Sequence, residues 1–174
     1  MSANETSPKA GGAGGKSAPA GNKTARRRSR EFALQALYAW QIAHGSPREI
    51  VEQVRGYDGY ERANAELAET LVRGVAERAA ELEALIAPYL DRSFASLSPV
   101  ERAILFIGTF ELCAQPQTPF KVIVNEAIEL GKSFGGTDGH KYVNGVLEKL
   151  AAQLRPAEFQ RARNGATQPA ERLR

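Results

Sequence analysis

The opening of a predicted helix carries four arginines, Arg26, Arg27, Arg28 and Arg30. The positive end of a helix dipole disfavours cations, so these side chains call for an external anion. Tyr38 follows Arg27 by 11 positions, about three turns, and therefore lies on the same stripe of the helix. Arginine and an aromatic ring on one stripe suit single-stranded nucleic acid, with guanidinium on phosphate and ring on base. The alternative is a solvated basic entry to the helix, with Tyr38 half-buried.

A glycine-rich segment, residues 132–142, is the second candidate site. Its glycines let backbone amides approach a ligand closely, and the helix that follows directs N–H groups at an anion. Phe134 and Tyr142 flank the segment as candidate stacking platforms. The spacing is not that of a nucleotide-binding P-loop. The alternative is a plain loop with both rings in the core.

Other reactive residue types are too sparse for catalysis or metal binding. His140 has no partner at metal-ligand spacing, so we interpret it as a loop hydrogen-bonding residue or a nucleic-acid contact. The single cysteine, Cys113, excludes an internal disulfide and is predicted to be a small buried apolar residue. Glu126 and Glu129 are interpreted as a helix face or a partner surface. No nucleophile stands with a matching base, so we predict no enzyme and no cofactor.

Length and charge describe one domain with a localised basic edge. The chain has 174 residues, and its longest apolar run, 103–107, falls far short of the roughly 18 residues that a membrane span needs. No apolar leader opens the sequence, so a cytoplasmic protein is expected. Residues 1–30 carry seven basic residues and one acidic residue, whereas residues 31–154 carry 11 basic and 17 acidic. This asymmetry predicts one anion-binding region on an acidic body.

Three segments are expected along the chain. Residues 1–24 are rich in Gly, Ala and Ser and are predicted to be a disordered tail. Residues 25–156 form the folded domain, and residues 157–174 are predicted to be a polar tail that frays.

Helix-start signals recur within the folded domain and predict an all-α fold of about seven helices. Ser46-Pro47 and Ser98-Pro99 are each followed by a glutamate that can complete a capping box, and Thr118-Pro119 repeats the signal without it. The predicted helices span residues 25–43, a short stretch after 47, 61–86 with a break near 79–81, 99–114, 119–134 and 138–154.

Three blocks of the sequence match, in the same order, motifs of a known protein family. They are RRRSREFALQALY at 26–38, FKVIVNEAIELGKSFG at 120–135 and HKYVNGVL at 140–147. Together they resemble the NusB family of bacterial transcription antitermination factors, over about residues 25–156.

The resemblance implies two packed three-helix subdomains, without catalysis or cofactor. It implies binding of boxA-type single-stranded leader RNA together with NusE, a ribosomal protein that doubles as a transcription factor. The pair would join the antitermination complex on RNA polymerase, chiefly in ribosomal RNA operons, while monomer and homodimer both stay open. Glu101 would contact NusE. The candidate RNA contacts are Arg26, Arg27, Arg30, Tyr38, Lys132, Phe134, Asp138, His140, Lys141 and Tyr142.

The sequence also departs from the family pattern. Phe106 and Phe110 stand where relatives commonly carry Arg and Tyr, which questions any polar role there. Gly131 replaces a usual alanine within a helix, at a cost of about 1 kcal/mol. The sequence leaves two alternative functions open. One is a helical protein-interaction module without nucleic acid, and the other is an RNA-binding relative of RNA methyltransferases. The sequence has no Gly-rich cofactor motif for the latter.

Overall fold

The computed structural model describes residues 20–166, which form seven α-helices, three short 3-10 turns and no strand within that range. The all-α prediction is therefore confirmed. The first helix begins at Ala20, inside the segment predicted to be disordered, while residues 1–19 and 167–174 lie outside the described range. The helices are α1 (Ala20–Ala43), α2 (Pro47–Arg55), α3 (Ala65–Ile86), α4 (Pro99–Ala114), α5 (Phe120–Phe134), α6 (Gly139–Leu154) and α7 (Pro156–Ala166).

Two of the three predicted helix starts are capped as expected. Ser46 and Ser98 each accept a hydrogen bond from the backbone of the glutamate three residues later, and that glutamate bonds back to the serine N–H. The prediction for Thr118 is wrong, because Thr118 is buried and makes no cap. Instead the Glu158 carboxylate accepts the Phe120 N–H at 2.8 Å. An acidic group from another helix can satisfy an orphan amide as well as a local hydroxyl can.

The helices form two bundles of three. Helices α1, α2 and α3 pack on one another, and so do α4, α5 and α6, while α4 also contacts α1 and α3. Leucines and isoleucines of both bundles are fully buried in one continuous core. Helix α3 bends at Arg78, where the backbone leaves helical geometry, next to the predicted break.

Both phenylalanines that depart from the family pattern belong to this core. The Phe106 ring lies 5.0 Å from the Phe94 ring, centroid to centroid, and both are buried. Phe110 packs directly on Gly74 of α3, where any added Cβ would overlap the ring. Gly74 thus permits the close approach of the two bundles, and a polar role for either phenylalanine is excluded by burial.

Gly131 sets the separation of α5 and α6. A Cβ at this position would lie 2.8 Å from the His140 Cα, so a side chain would push the start of α6 away from α5. The helix-propensity cost of glycine is therefore offset by tighter packing around the glycine-rich turn.

The predicted polar tail is folded as far as Ala166, which corrects the sequence prediction for residues 157–166. Helix α7 places the Phe159 ring 5.4 Å from the Phe120 ring. Arg155, just before α7, donates to four backbone carbonyl groups at and after the end of α4, those of Glu111, Leu112, Gln115 and Thr118. The amphipathic signal of this short, Arg-rich helix was too weak to predict from sequence.

Candidate nucleic-acid interface

Arg30 is not available to a ligand. Its Nε donates to Glu111 Oε2 at 2.9 Å and its Nη2 donates to Glu111 Oε1 at 2.8 Å, with the side chains 3% and 1% exposed. Burial lowers the pKa of the Arg30 guanidinium, but the hydrogen bonds and charge of Glu111 outweigh this, and the pKa is raised. The prediction of Arg30 as an RNA contact is therefore wrong: it is a buried cation that joins the two bundles.

Arg27 is paired in the same way but keeps one edge outside. Its Nε and Nη2 donate to the two Glu126 oxygens at 3.1 and 3.0 Å, while its side chain is 40% exposed and that of Glu126 8%. The hydrogen bonds that Arg27 donates to Glu126 raise the pKa of the Arg27 guanidinium. Its Nη1 takes no part in these two bonds. Glu126 was interpreted as a helix face or partner surface, but it holds Arg27.

Arg26 faces another direction from Arg27. It is half-buried beside Asn64 and Glu66 at the start of α3 and Gln117 after α4. Arg26 and Arg27 therefore do not share one surface strip.

Tyr38 lies at the other half of α1, with its side chain 43% exposed. One turn later Ile42 is also exposed, and Gln41 Nε2 donates to the Pro99 carbonyl at 2.9 Å. This bond places the Tyr38 end of α1 next to the start of α4. An exposed tyrosine on a helix fixed at both ends is a rigid surface for a flat ligand.

The glycine-rich turn displays one free ring and several charges. Phe134 is 41% exposed at the end of α5. Lys141 and Asp138 pair at 3.2 Å and are both well exposed, and Lys132 pairs with Glu129 at 3.4 Å. Exposed pairs of this kind contribute little stability, so both lysines can exchange their partners for phosphate at low cost.

Tyr142 is held differently from Phe134. It is partly buried against the core, and its hydroxyl donates to Asp91 at 2.9 Å. The Arg92 guanidinium lies over its ring, 4.7 Å from the centroid. Burial raises the pKa of the Tyr142 hydroxyl, while the hydrogen bonds from Arg92 and then Tyr142 lower the pKa of Asp91. Sequence reasoning missed Asp91 and Arg92, whose sole signal was a polar pair between two apolar stretches.

Glu101 and His140 connect this turn to the body of the protein. Glu101 Oε2 accepts from the Ser98 N–H at 3.0 Å, and Oε1 lies beside Gly139, so the start of α6 touches the start of α4. His140 is half-buried with its backbone against Gly131. Between residues 20 and 166 no group of three His, Cys, Asp or Glu side chains is arranged to hold a metal ion.

Cys113 is half-buried rather than fully buried as predicted. Burial raises the pKa of its thiol, the opposite of what a nucleophilic cysteine needs. Among the described helices, none is long and apolar enough to span a membrane.

Of the first candidate site, Tyr38 lies near the glycine-rich turn and the arginines do not. Helix α1 runs antiparallel to α4, since Arg30 bonds to Glu111 and Gln41 bonds to Pro99. Tyr38 and the glycine-rich turn both lie near the start of α4, whereas the arginines lie near its end. Arg27 and Tyr38 are separated by about 16 Å along the α1 axis. The surface is a strip with its exposed rings at one end, and not a single cluster.

Fold and surface together define an all-helical protein of two three-helix bundles that displays aromatic rings and cations at one end. The sequence profile of the NusB family matches residues 27–152, which is most of the described chain. The chain belongs to the NusB family.

Relatives and solved structures agree with this assignment. The transcription antitermination protein NusB of Burkholderia lata is 56% identical over 143 residues, 82% of this chain and 99% of the relative. That of Burkholderia mallei is 56% identical over 144 residues, 83% of this chain and 99% of the relative.

Among solved structures, T. maritima NusB superposes with a TM-score of 0.68 at 31% identity, covering 78% of this chain and 96% of that one. A crystal structure of antitermination factors NusB and NusE in complex with double-stranded RNA superposes with a TM-score of 0.65 at 25% identity, covering 75% and 98%. The two-bundle NusB fold implied by the resemblance is thus confirmed.

Proposed function

We propose that this chain is a non-enzymatic transcription antitermination factor that binds boxA-type single-stranded RNA together with NusE. The observation that carries the proposal is the pair of exposed rings, Tyr38 and Phe134, on helix ends fixed around the start of α4. Fixed, exposed rings stack on unpaired bases at little entropic cost. The protein would act in the cytoplasm, on RNA polymerase that carries the antitermination complex.

The remaining candidates divide into supporting roles. Lys132, Lys141 and the free edge of Arg27 would contact phosphates, since each is exposed and weakly or partly paired. Asp138 would accept a hydrogen bond from a base edge or a ribose hydroxyl, or would orient Lys141. Arg26 and half-buried His140 would contribute little. Arg30 takes no part.

The NusE-facing surface would centre on the start of α4. Glu101 is half-buried, with Oε2 capping α4 and Oε1 beside Gly139. Ile42 is exposed one turn after Tyr38 and adds apolar area to the same end of the molecule.

Binding of boxA-type RNA as a function of salt concentration, with NusE present, tests the proposal. We expect the logarithm of the RNA association constant to fall linearly with the logarithm of the salt concentration. The slope should correspond to a few phosphate contacts. A duplex of the same sequence is the comparison, because the solved relative was crystallised with double-stranded RNA. No binding with NusE present, or a flat salt response, would reject the RNA function and favour a protein-interaction module.

The exposed strip also suits self-association. Light scattering over a range of protein concentrations, with and without RNA, distinguishes a monomer from a homodimer whose interface RNA displaces.

A further inference from the structure

We propose that Arg92 is an additional RNA-contacting residue, presented on the ring of Tyr142. This inference rests on the proposed RNA-binding function and adds a site in the linker between α3 and α4, outside the arginine-rich start and the glycine-rich turn. The ligand group it would take is an unpaired base or a phosphate adjacent to one.

Two side chains, Tyr142 and Asp91, hold the Arg92 guanidinium in place. Arg92 lies over the Tyr142 ring at 4.7 Å from the centroid, and its Nε donates to Asp91 at 2.9 Å. The Tyr142 hydroxyl donates to the same Asp91 oxygen at 2.9 Å. Asp91 therefore bridges ring and guanidinium, and Arg92 keeps both Nη groups available. An arginine fixed in this way loses little rotamer freedom when it binds.

Because Arg92 lies over the Tyr142 ring, a ligand contacts the guanidinium before it contacts the ring. Tyr142 is partly buried against the core and Arg92 lies over its ring, so a base could stack on this ring only after Arg92 moved. The Arg92 side chain is 51% exposed. A guanidinium plane can stack on a base and donate to phosphate at once, so Arg92 can replace the ring as the platform.

Neighbouring charges do not give this site a net positive charge. Lys141 is exposed next to Tyr142 and adds a second cation. Three carboxylates lie nearby, and each is already engaged: Asp91 by two donors, Glu101 by the α4 cap, and Asp138 by Lys141. With two cations among three carboxylates, the affinity of this site for RNA rests on the Arg92 stacking plane and its two Nη groups rather than on net charge.

Arg92→Ala tests the proposal against a matched control, Arg78→Ala. Arg78 is likewise paired with a carboxylate, that of Glu81, and lies 5.8 Å from the centroid of an aromatic ring, that of Phe110, but in the middle of α3. We expect Arg92→Ala to weaken boxA-type RNA binding by about fivefold or more and to lower the salt slope by about one contact. Arg78→Ala should leave both unchanged, with thermal melts confirming that both variants fold.

Arg92→Lys separates charge from shape. It should restore the salt slope while recovering only part of the affinity, because an ammonium group lacks the stacking plane.

Two results would overturn the inference. One is an Arg92→Ala variant that binds RNA as the Arg78→Ala variant does, while Tyr38→Ala weakens binding; the proposed function would then stand without Arg92. The other is tighter binding by Arg92→Ala, which would mean that the uncovered Tyr142 ring is the platform. Absence of RNA binding by the unaltered protein would instead reject the proposed function itself.

Discussion

The two ends of α4 carry similar residue types with opposite uses. At its end, Arg30 and Arg27 of α1 are held by Glu111 of α4 and Glu126 of α5, and the cations join one bundle to the other. At its start, the rings of Tyr38 and Phe134 and the lysines of the glycine-rich turn are exposed. We call the end of α4 with the ion pairs the closed end, and the start of α4 with the exposed rings and lysines the open end.

The difference corrects the helix-dipole argument. Helix α1 begins at Ala20, so Arg27 and Arg30 lie about two and three turns from its start, beyond the reach of the helix dipole. They need an anion because a cation that is buried or partly buried must be paired. That anion belongs to the protein itself, because Glu111 and Glu126 approach from the second bundle. A basic cluster therefore indicates an external ligand only when no internal carboxylate reaches it.

Arg30→Ala should have the largest effect, and it tests the closed end. It leaves the Glu111 carboxylate buried without a partner, so we expect a loss of about 3–5 kcal/mol in the free energy of unfolding by urea. The double variant Arg30→Met with Glu111→Leu should recover most of this stability, because it removes both charges. A single variant as stable as the unaltered protein would contradict the structural role of Arg30.

Arg155→Ala should destabilise the same end by about 1–3 kcal/mol, because carbonyl groups at the end of α4 lose their donor. Urea unfolding measures the loss. Arg161→Ala, an exposed arginine one and a half turns further along, is the control and should change stability little.

Tyr38→Ala tests the open end. If the ring stacks on a base, the variant should lose about 1–3 kcal/mol of RNA binding free energy while its melting temperature stays unchanged. Fluorescence anisotropy with labelled RNA measures the first quantity and circular dichroism the second. A lower melting temperature with unchanged RNA affinity would instead assign Tyr38 to the core.

Arg27→Ala should give the smallest effect on RNA binding, because the Nε and Nη2 of Arg27 already donate to Glu126. We expect the salt slope of RNA binding to fall by about one contact. Glu126→Gln is the informative companion: it removes a competing negative charge and should strengthen RNA binding. Equal slopes for all three proteins would place Arg27 with the closed end alone.

Local signals predicted most of the fold. Ser46-Pro47 and Ser98-Pro99 marked their helices correctly, because a capping box needs only residues within one turn. The predicted cap at Thr118 was wrong because Glu158, 40 positions away, accepts the first N–H of that helix instead. Helix α7 was missed for a related reason: its stability comes from Phe159 on Phe120 and from Arg155, and neither contact is visible in local periodicity.

The candidate site could be predicted in part. Exposure of Tyr38 and Phe134 agrees with the roles assigned from sequence, although their contact with RNA stays a prediction. The burial of Arg30 could not be foreseen, because its partner Glu111 is 81 positions distant and sits on the most apolar helix. The placement of Arg92 could not be predicted for the same reason, since the ring that it covers is 50 positions later.

The hydrogen bonds from Arg155 to four carbonyl groups limit how far the chain can be truncated at its C-terminal side. The family profile stops at residue 152, three positions before that guanidinium. A shortened chain ending there would keep every block of family sequence and yet leave the last turn of α4 without its donor. We therefore expect the stable folded unit to extend past the family profile, through Arg155 and into α7.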